Sequence, residues 1–284
     1  MSRSSFAAGP LAGWVDGRDE GERLLLLHGG PGLSFDYMDG AVDELIDGYR
    51  VASFQQRGLP PSAHEGPFTV DQAVADVVAV LDALEWERAR LVGHSWGGHL
   101  AFHCAARIPE RLLGALAVDP LGAVGDGGMA AFTEELAARI PDEDRDRAQA
   151  LEDAVTSGEG GETAALENLR LVWPGYFADP ASAPTMPAIR MSLAAYAGTM
   201  DSVTQELPRL EAALPTIRVP VGVLVGARSP IPMDKAGLLT AERIPGAWAE
   251  ILPNAGHFPW IEVPGSLRAA VDHLVAGTGT AAAL

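Results

Sequence analysis

The chain has 284 residues, a formal net charge of −18 at pH 7 and a pI near 4.6. So acidic a surface repels phosphate backbones and anionic membranes, which excludes nucleic acid and membranes as expected partners. The single cysteine, Cys104, rules out an internal disulfide, and no Cys/His cluster predicts a structural zinc site. Neither a signal peptide nor a membrane-spanning segment is expected, so the sequence predicts a cytoplasmic protein and leaves its oligomeric state open.

Short apolar runs alternate with helical patterns along the chain, which is typical of parallel strands joined by crossover helices. One or two strands are expected near the amino terminus, and six more follow; the predicted positions are residues 4–16, 24–28, 50–54, 89–94, 112–119, 219–226 and 247–252. The main helices between and after them are predicted at 69–84, from just after residue 95 to residue 109, and at 263–275.

Residues 122–215 contain helical patterns and loops but no convincing strand. They are predicted to form a helical lid inserted into a core domain made of residues 1–121 and 216–284. Their aromatic and methionine-rich part fits either packing of the lid on the core or the ceiling of a pocket. The candidate substrate-binding residues are Trp173, Tyr176 and Phe177. The last residues, "AGTGTAAAL", are expected to be a frayed tail.

The strongest chemical signal is "LVGHSWGG", in which a predicted strand runs straight into Gly-x-Ser-x-Gly and then a helix. A serine on such a tight turn is held above the sheet, and the flanking Gly93 and Gly97 remove side chains that would collide there. Ser95 is therefore the candidate nucleophile. It lies at the amino end of a helix, where the helix dipole favours negative charge.

Four motifs together resemble the α/β-hydrolases, and within them the branch that includes proline iminopeptidases. They are "HGGPG" at residues 28–32, "QQRG" at 55–58, "GHSWGG" at 93–98 and "AGHFPW" at 255–260. The resemblance implies the α/β-hydrolase fold, an eight-stranded, mostly parallel sheet with helices on both faces and a helical lid. His28 and His94 are expected to pack and to hydrogen-bond the loops around them.

Acyl transfer needs an activated hydroxyl, a base within hydrogen-bond reach and donors aimed at the oxyanion. His257 is the candidate base, because it follows the last strand and fits the order nucleophile, acid, histidine of this fold. The oxyanion donors are predicted to be the backbone N–H groups of Trp96 and Gly30. Pro31 has no N–H, which narrows the choice within the glycine loop.

The acid is less obvious, because Ser229 stands where this family usually carries an aspartate. Asp119 ends a neighbouring strand, and the carboxyl ends of parallel strands open on one edge only about 4.8 Å apart. Some α/β-hydrolases, haloalkane dehalogenases among them, carry their acid after that strand. Asp234 is the alternative, although it also fits a helix cap. A site without an acid is the third possibility.

These residues predict a serine hydrolase that cleaves a small ester, amide or lactone through an acyl-enzyme, with no metal and no cofactor. His99 and His103 have metal-like spacing but no acidic partner motif. Proline iminopeptidase activity would need lid carboxylates for the substrate amine, for which Glu134, Glu135 and Glu206 are candidates. The alternatives are a non-hydrolytic enzyme, such as a lyase or a cyclase of a biosynthetic pathway, and a small-molecule-binding protein with a decayed triad.

Overall fold

The computed structural model describes residues 3–277, so the tail predicted at the carboxy terminus lies, from residue 278 on, outside the described residues. Eight strands form one sheet in the order β1-β2-β4-β3-β5-β6-β7-β8. Their bounds are β1 Ser4–Ala8, β2 Leu11–Gly17, β3 Glu22–Leu27, β4 Tyr49–Gln55, β5 Ala89–His94, β6 Leu112–Val118, β7 Val221–Gly226 and β8 Trp248–Leu252. β1 and β2 pair antiparallel, and so do β2 and β4, whereas all other neighbours are parallel. The predicted eight-stranded, mostly parallel fold is confirmed.

Within the described range, ten α-helices connect or follow these strands. They are α1 Asp39–Asp43, α2 Val70–Ala83, α3 Trp96–Arg107, α4 Met129–Ala138, α5 Asp142–Thr156, α6 Gly161–Val172, α7 Leu193–Ala213, α8 Gly237–Glu242, α9 Pro259–Glu262 and α10 Ser266–Ala276. The last helix begins three residues later than predicted, since Gly265 adopts φ 86° before it. No helix within residues 3–277 is long and apolar enough to cross a membrane.

The sheet separates two apolar layers. Along β3, Leu25 and Leu27 point into the layer that contains α2 and α3, while Leu24 and Leu26 point into the layer that contains α10. Side chains alternate between the faces of a strand, so a strand that is covered on both sides reads as an unbroken apolar run. This explains "LLLL" in the sequence and places helices on both faces.

The region between β6 and β7 is helical and holds α4 to α7. α4 has no buried residue, α5 buries only Ala148, and α6 buries Ala164 and Ala165. α7 is different, because five of its residues, spaced along one stripe, are buried: Ala195, Thr199, Val203, Leu207 and Leu210. α7 is thus packed along its length, whereas α4 and α5 are largely exposed.

The parallel strands end at one edge of the sheet. His94 of β5 pairs with Val118 of β6, and Val118 in turn pairs with Leu224 of β7. The residues that follow β5 and β6, and the loops after β7 and β8, therefore converge at this edge.

Candidate active site

Ser95 lies on a strained turn between β5 and α3. Its backbone has φ 55° and ψ −119°, a conformation that residues other than glycine rarely adopt. A Cβ on Gly93 would lie 2.1 Å from the Gly97 carbonyl oxygen, and one on Gly97 would lie 2.0 Å from the Leu27 carbonyl oxygen. Both glycines are therefore required for the close approach of strand and helix that raises Ser95 above the sheet.

Asp119 meets His257 at the same edge. The Nδ1 atom of His257 lies 2.5 Å from Oδ2 of Asp119, and both side chains are buried. The Asp119 backbone, directly after β6, has φ 44°. Oδ1 of Asp119 accepts the Gly226 N–H at 3.2 Å. The contact between the displaced acid and the histidine is the one expected from the sequence.

Ser229 supports this carboxylate. Its hydroxyl donates to Oδ2 of Asp119 at 2.5 Å and accepts the backbone N–H of Ile231 at 3.1 Å. The serine in the usual acid position is thus a hydrogen-bond partner of the acid on the neighbouring strand. Asp234 is exposed, three residues before the start of α8, and is neither the partner of His257 nor the cap of that helix.

A chain of hydrogen bonds joins the glycine loop to the loop of His257. The Gly29 N–H donates to Oη of Tyr37 at 2.6 Å, and Oη lies 2.8 Å from Nδ1 of His94. Nε2 of His94 lies 2.8 Å from the His257 carbonyl oxygen. Burial lowers the pKa of His94 well below its ordinary value, so the ring is neutral. Since a carbonyl only accepts, Nε2 carries the proton and Nδ1 accepts from Tyr37.

This chain adds a role that sequence reasoning missed. His94 was expected to hydrogen-bond nearby loops, but its partner, 163 positions along the chain, was not foreseen. Tyr37 gave no signal in the sequence, because a single tyrosine after a glycine loop is unremarkable without the fold. The backbone N–H of His257 donates to the Tyr176 carbonyl oxygen at 2.8 Å, so the base loop is held from both sides.

The predicted oxyanion donors lie beside Ser95. Trp96 is the first residue of α3, where a helical N–H has no intrahelical acceptor. Gly30 has φ 53° and its carbonyl accepts the Leu33 N–H at 2.8 Å. The Gly29 N–H is already bound to Tyr37, so it does not compete with Gly30 as the predicted glycine-loop donor. Gly30, Ser95 and Trp96 line one cavity.

"QQRG" fastens the glycine loop to the serine turn. Gln56 donates its backbone N–H to Nε2 of His28 at 3.1 Å and its side-chain amide to the His28 carbonyl at 2.9 Å. Its Oε1 accepts the Trp96 indole N–H at 2.8 Å. Burial lowers the pKa of His28 to about 4, which keeps this ring neutral and able to accept.

The cavity over Ser95 has a volume of about 350 Å³ and is called here the Ser95 cavity. Its lining comprises Gly30, Pro31, Leu33, Tyr37, His94, Ser95, Trp96, Leu121, Met129, Phe132, Thr133, Leu169, Trp173, Tyr176, Ile189, Met191, Tyr196, Met200, His257 and Phe258. Two of the three aromatic residues predicted to bind substrate, Trp173 and Tyr176, belong to it.

Phe177 does not line the Ser95 cavity, so its predicted role is corrected. Trp173 and Tyr176 lie three residues apart in a 3₁₀ turn, where such residues share one side. Phe177 comes one residue later and is buried behind them, with its ring centroid 5.4 Å from Trp173 and 5.3 Å from Phe258. It packs the aromatic wall from behind.

The three lid carboxylates considered for an amine site also lie outside the lining. Glu135 pairs with Arg139 at 3.0 Å, Glu206 pairs with Arg107 at 2.5 Å, and Glu134 is exposed. None of these groups faces the space above Ser95.

His99 and His103 pair with each other on α3, where their Nε2 atoms lie 3.2 Å apart. Nδ1 of His99 donates to the Gly122 carbonyl at 3.0 Å, so Nε2 of His99 must accept from His103. Their metal-like spacing thus serves a buried hydrogen bond between two neutral rings.

A serine turn, a buried Asp–His pair and a cavity meet at the carboxyl edge of a parallel sheet, the arrangement typical of the α/β-hydrolase fold. The chain belongs to the alpha/beta hydrolase family, whose model matches residues 24–270. This confirms the resemblance stated from the motifs.

Curated relatives match over short segments. Epoxide hydrolase 4 of Mus musculus is 33% identical over 93 residues, which cover 32% of this chain and 26% of that protein. A proline iminopeptidase of Lactobacillus helveticus is 38% identical over 93 residues, which cover 31% of each chain. The chain thus matches about a third or less of these relatives' length. A solved hydrolase from Pseudomonas aeruginosa PA01 has a TM-score of 0.67 and 25% identity, and the match covers 96% of this chain and 98% of that one.

Proposed function

We propose that this protein is a serine hydrolase that cleaves a small ester, amide or lactone through an acyl-enzyme. The observation that carries the proposal is the placement of Ser95 and the buried Asp119–His257 pair around one cavity. An epoxide hydrolase is disfavoured, because that chemistry uses a carboxylate nucleophile and residue 95 is serine.

In the proposed first step, Oγ of Ser95 attacks the substrate carbonyl carbon while Nε2 of His257 takes the hydroxyl proton. Asp119 holds the Nδ1 proton, so Nε2 is the nitrogen that presents a lone pair. The backbone N–H groups of Trp96 and Gly30 stabilise the oxyanion. One such donor is worth about 10²–10³ in turnover where it has been removed from a serine protease.

Collapse of the tetrahedral intermediate breaks the bond to the leaving group, which receives the proton from His257. Water then attacks the acyl-enzyme, and His257 takes a proton from this water and returns it to Oγ of Ser95. The cycle consumes one water, releases an acid and an alcohol or amine, and restores every group of the enzyme. A lactone yields a single hydroxy acid in the same way.

The binding-protein alternative was raised because position 229 lacks the usual acid. Its basis is weakened, because a carboxylate from the neighbouring strand lies against His257. A non-hydrolytic enzyme would use the same serine and histidine without releasing a hydrolysis product. Product analysis by mass spectrometry separates this alternative, since hydrolysis adds the mass of one water to the substrate.

Covalent labelling tests the proposal. An alkyl fluorophosphonate should modify Ser95 on the native chain, and Ser95→Ala should abolish both labelling and turnover of p-nitrophenyl esters. The matched control is Ser157→Ala, which removes an exposed serine at the end of α5 and should change neither. Labelling at a residue other than Ser95, or turnover that survives Ser95→Ala, would refute the mechanism.

A further inference from the structure

The Ser95 cavity is walled almost entirely by apolar and aromatic groups. Among residues 3–277, no Asp, Glu, Lys or Arg contributes to its lining, although the whole chain carries 38 acidic and 20 basic residues. Apart from backbone groups and the indoles of Trp96 and Trp173, the polar groups of its lining are the histidines, Ser95, Thr133 and the hydroxyls of Tyr37, Tyr176 and Tyr196. A chain this rich in charge thus keeps charged side chains out of its reaction space.

Charged side chains close to the cavity wall are bound elsewhere. Arg190, which lies between the lining residues Ile189 and Met191, donates to the Pro60 carbonyl at 2.7 Å. Arg139 pairs with Glu135 and donates to the carbonyls of Gly175 at 2.9 Å and Arg228 at 2.8 Å. Glu262 accepts the backbone N–H groups of Ala178 at 2.7 Å and Gly256 at 2.6 Å. These ions stabilise loops, so turning one toward a substrate would leave those donors or acceptors unpaired.

We propose that the acyl part of the substrate is uncharged and predominantly apolar, and that substrates with a free amino group at this end are excluded. This inference rests on the proposed function. A charged group in the cavity would lose its water and find no counter-ion there, which carries a large free-energy penalty. An aminopeptidase acting on a free amino terminus would meet this penalty at every turnover.

Aromatic rings can attract cations, but the placement of the rings in this cavity disfavours a substrate cation. The Tyr176 ring lies 5.2 Å from the His257 ring, and Phe258 lies 5.1 Å from it. His257 becomes an imidazolium when it takes the Ser95 proton. A substrate cation held by these rings would therefore lie close to a second positive charge in the transition state, where like charges repel.

The volume sets the size of the acyl group. The cavity of about 350 Å³ is roughly twice the size of an engineered apolar cavity of about 150 Å³ that accepts benzene. A medium-length aliphatic chain or a single ring with a short linker fits this space.

The experiment compares 4-methylumbelliferyl esters of equal length and different charge. The heptanoate ends in a methyl group, the 6-aminohexanoate in an ammonium group and the monoadipate in a carboxylate. We expect kcat/KM for the heptanoate to exceed both others by about 100-fold or more. Prolyl 4-methylcoumarinyl amide should not be hydrolysed.

A designed carboxylate provides the converse test. Met200 of α7 lines the cavity and is half-buried. Met200→Glu should raise kcat/KM for the 6-aminohexanoate relative to the heptanoate by about tenfold over Met200→Gln, which has the same shape without the charge. If the ratio of kcat/KM for the 6-aminohexanoate to that for the heptanoate were the same in both variants, charge at the cavity wall would not govern the choice of substrate.

The outcomes separate the inference from the function on which it rests. Ser95-dependent hydrolysis with equal or higher kcat/KM for a charged ester overturns the inference and leaves the serine hydrolase intact. If no ester is hydrolysed, the rates of Ser95 labelling by heptyl and 6-aminohexyl fluorophosphonates decide, and equal rates overturn the inference. Absence of both turnover and labelling refutes the proposed function, and the inference falls with it.

Discussion

Replacing Asp119 with asparagine changes one atom in a carboxylate on which three donors converge. Oδ2 accepts from Nδ1 of His257 and from the Ser229 hydroxyl, and Oδ1 accepts the Gly226 N–H. If the asparagine keeps its oxygen on Gly226, its NH₂ group faces Nδ1 of His257. Two donors then meet, and the imidazole relieves the conflict by moving its proton to Nε2.

A proton on Nε2 removes the lone pair that must accept the Ser95 proton. The same change in a serine protease lowers turnover by about 10⁴, which corresponds to roughly 5 kcal/mol of activation free energy. Part of that loss is charge, because a neutral amide does not stabilise the imidazolium. We therefore expect Asp119→Asn to reduce kcat by a factor of about 10³–10⁴, with a small change in KM.

The assay is steady-state hydrolysis of a neutral 4-methylumbelliferyl ester, with circular dichroism to show that the fold is kept. Asp234→Asn is the matched control, since it removes an exposed carboxylate from the following loop and should leave kcat within about twofold. If Asp119→Asn kept more than a tenth of kcat, or if Asp234→Asn lost as much, the assignment of the acid would be wrong.

Three further changes follow from the same contacts. Ser229→Ala keeps the acid but removes one donor to it, so kcat should fall about tenfold. The double variant Asp119→Ser/Ser229→Asp, which exchanges the two side chains, should have a higher kcat than Asp119→Asn. Tyr37→Phe breaks the link between Gly29 and His94 and should lower kcat about 10- to 100-fold with KM nearly unchanged. If kcat fell by this amount while Ser95 was still labelled at the full rate, this role would be contradicted. Burial lowers the pKa of His103 to about 2, so its unfolded form binds a proton as pH falls below about 6.5 and stability is lost. Urea unfolding should show that His103→Gln reduces the loss of unfolding free energy between pH 7 and pH 5 by about 2 kcal/mol, and an unchanged loss would refute the cause.

The sheet could be predicted from the sequence because its strands are covered on both faces and read as apolar runs between turn residues. "LLLL" in β3 and "VGVLVG" in β7 have this form. The predicted strand at 219–226 begins two residues later in the structure, after Pro220, which has no N–H for the ladder. The short helices α1 and α9 were not predicted, since helices of five and four residues carry no periodicity.

The site was partly accessible from the sequence. Ser95 and His257 stand in motifs that specify their local geometry, and Asp119 followed from the rule that parallel strands open on one edge. Tyr37 and the direction of Phe177 were not accessible, because both depend on how segments far apart in sequence meet. Burial of the His99–His103 pair was equally hidden, since an i, i+4 spacing shows a shared helix face and not what covers it.

Helix α7 governs how the space above Ser95 can open. Its amino-terminal half presents Tyr196 and Met200 to the cavity, while further along it Ser202 accepts the Val70 N–H at 3.0 Å and Glu206 pairs with Arg107 of α3 at 2.5 Å. A swing of α7 would break these contacts and uncover its buried stripe, so this wall behaves as fixed framework. The helices α4 and α5 bury little surface, so their amides should exchange with solvent sooner than those of α7.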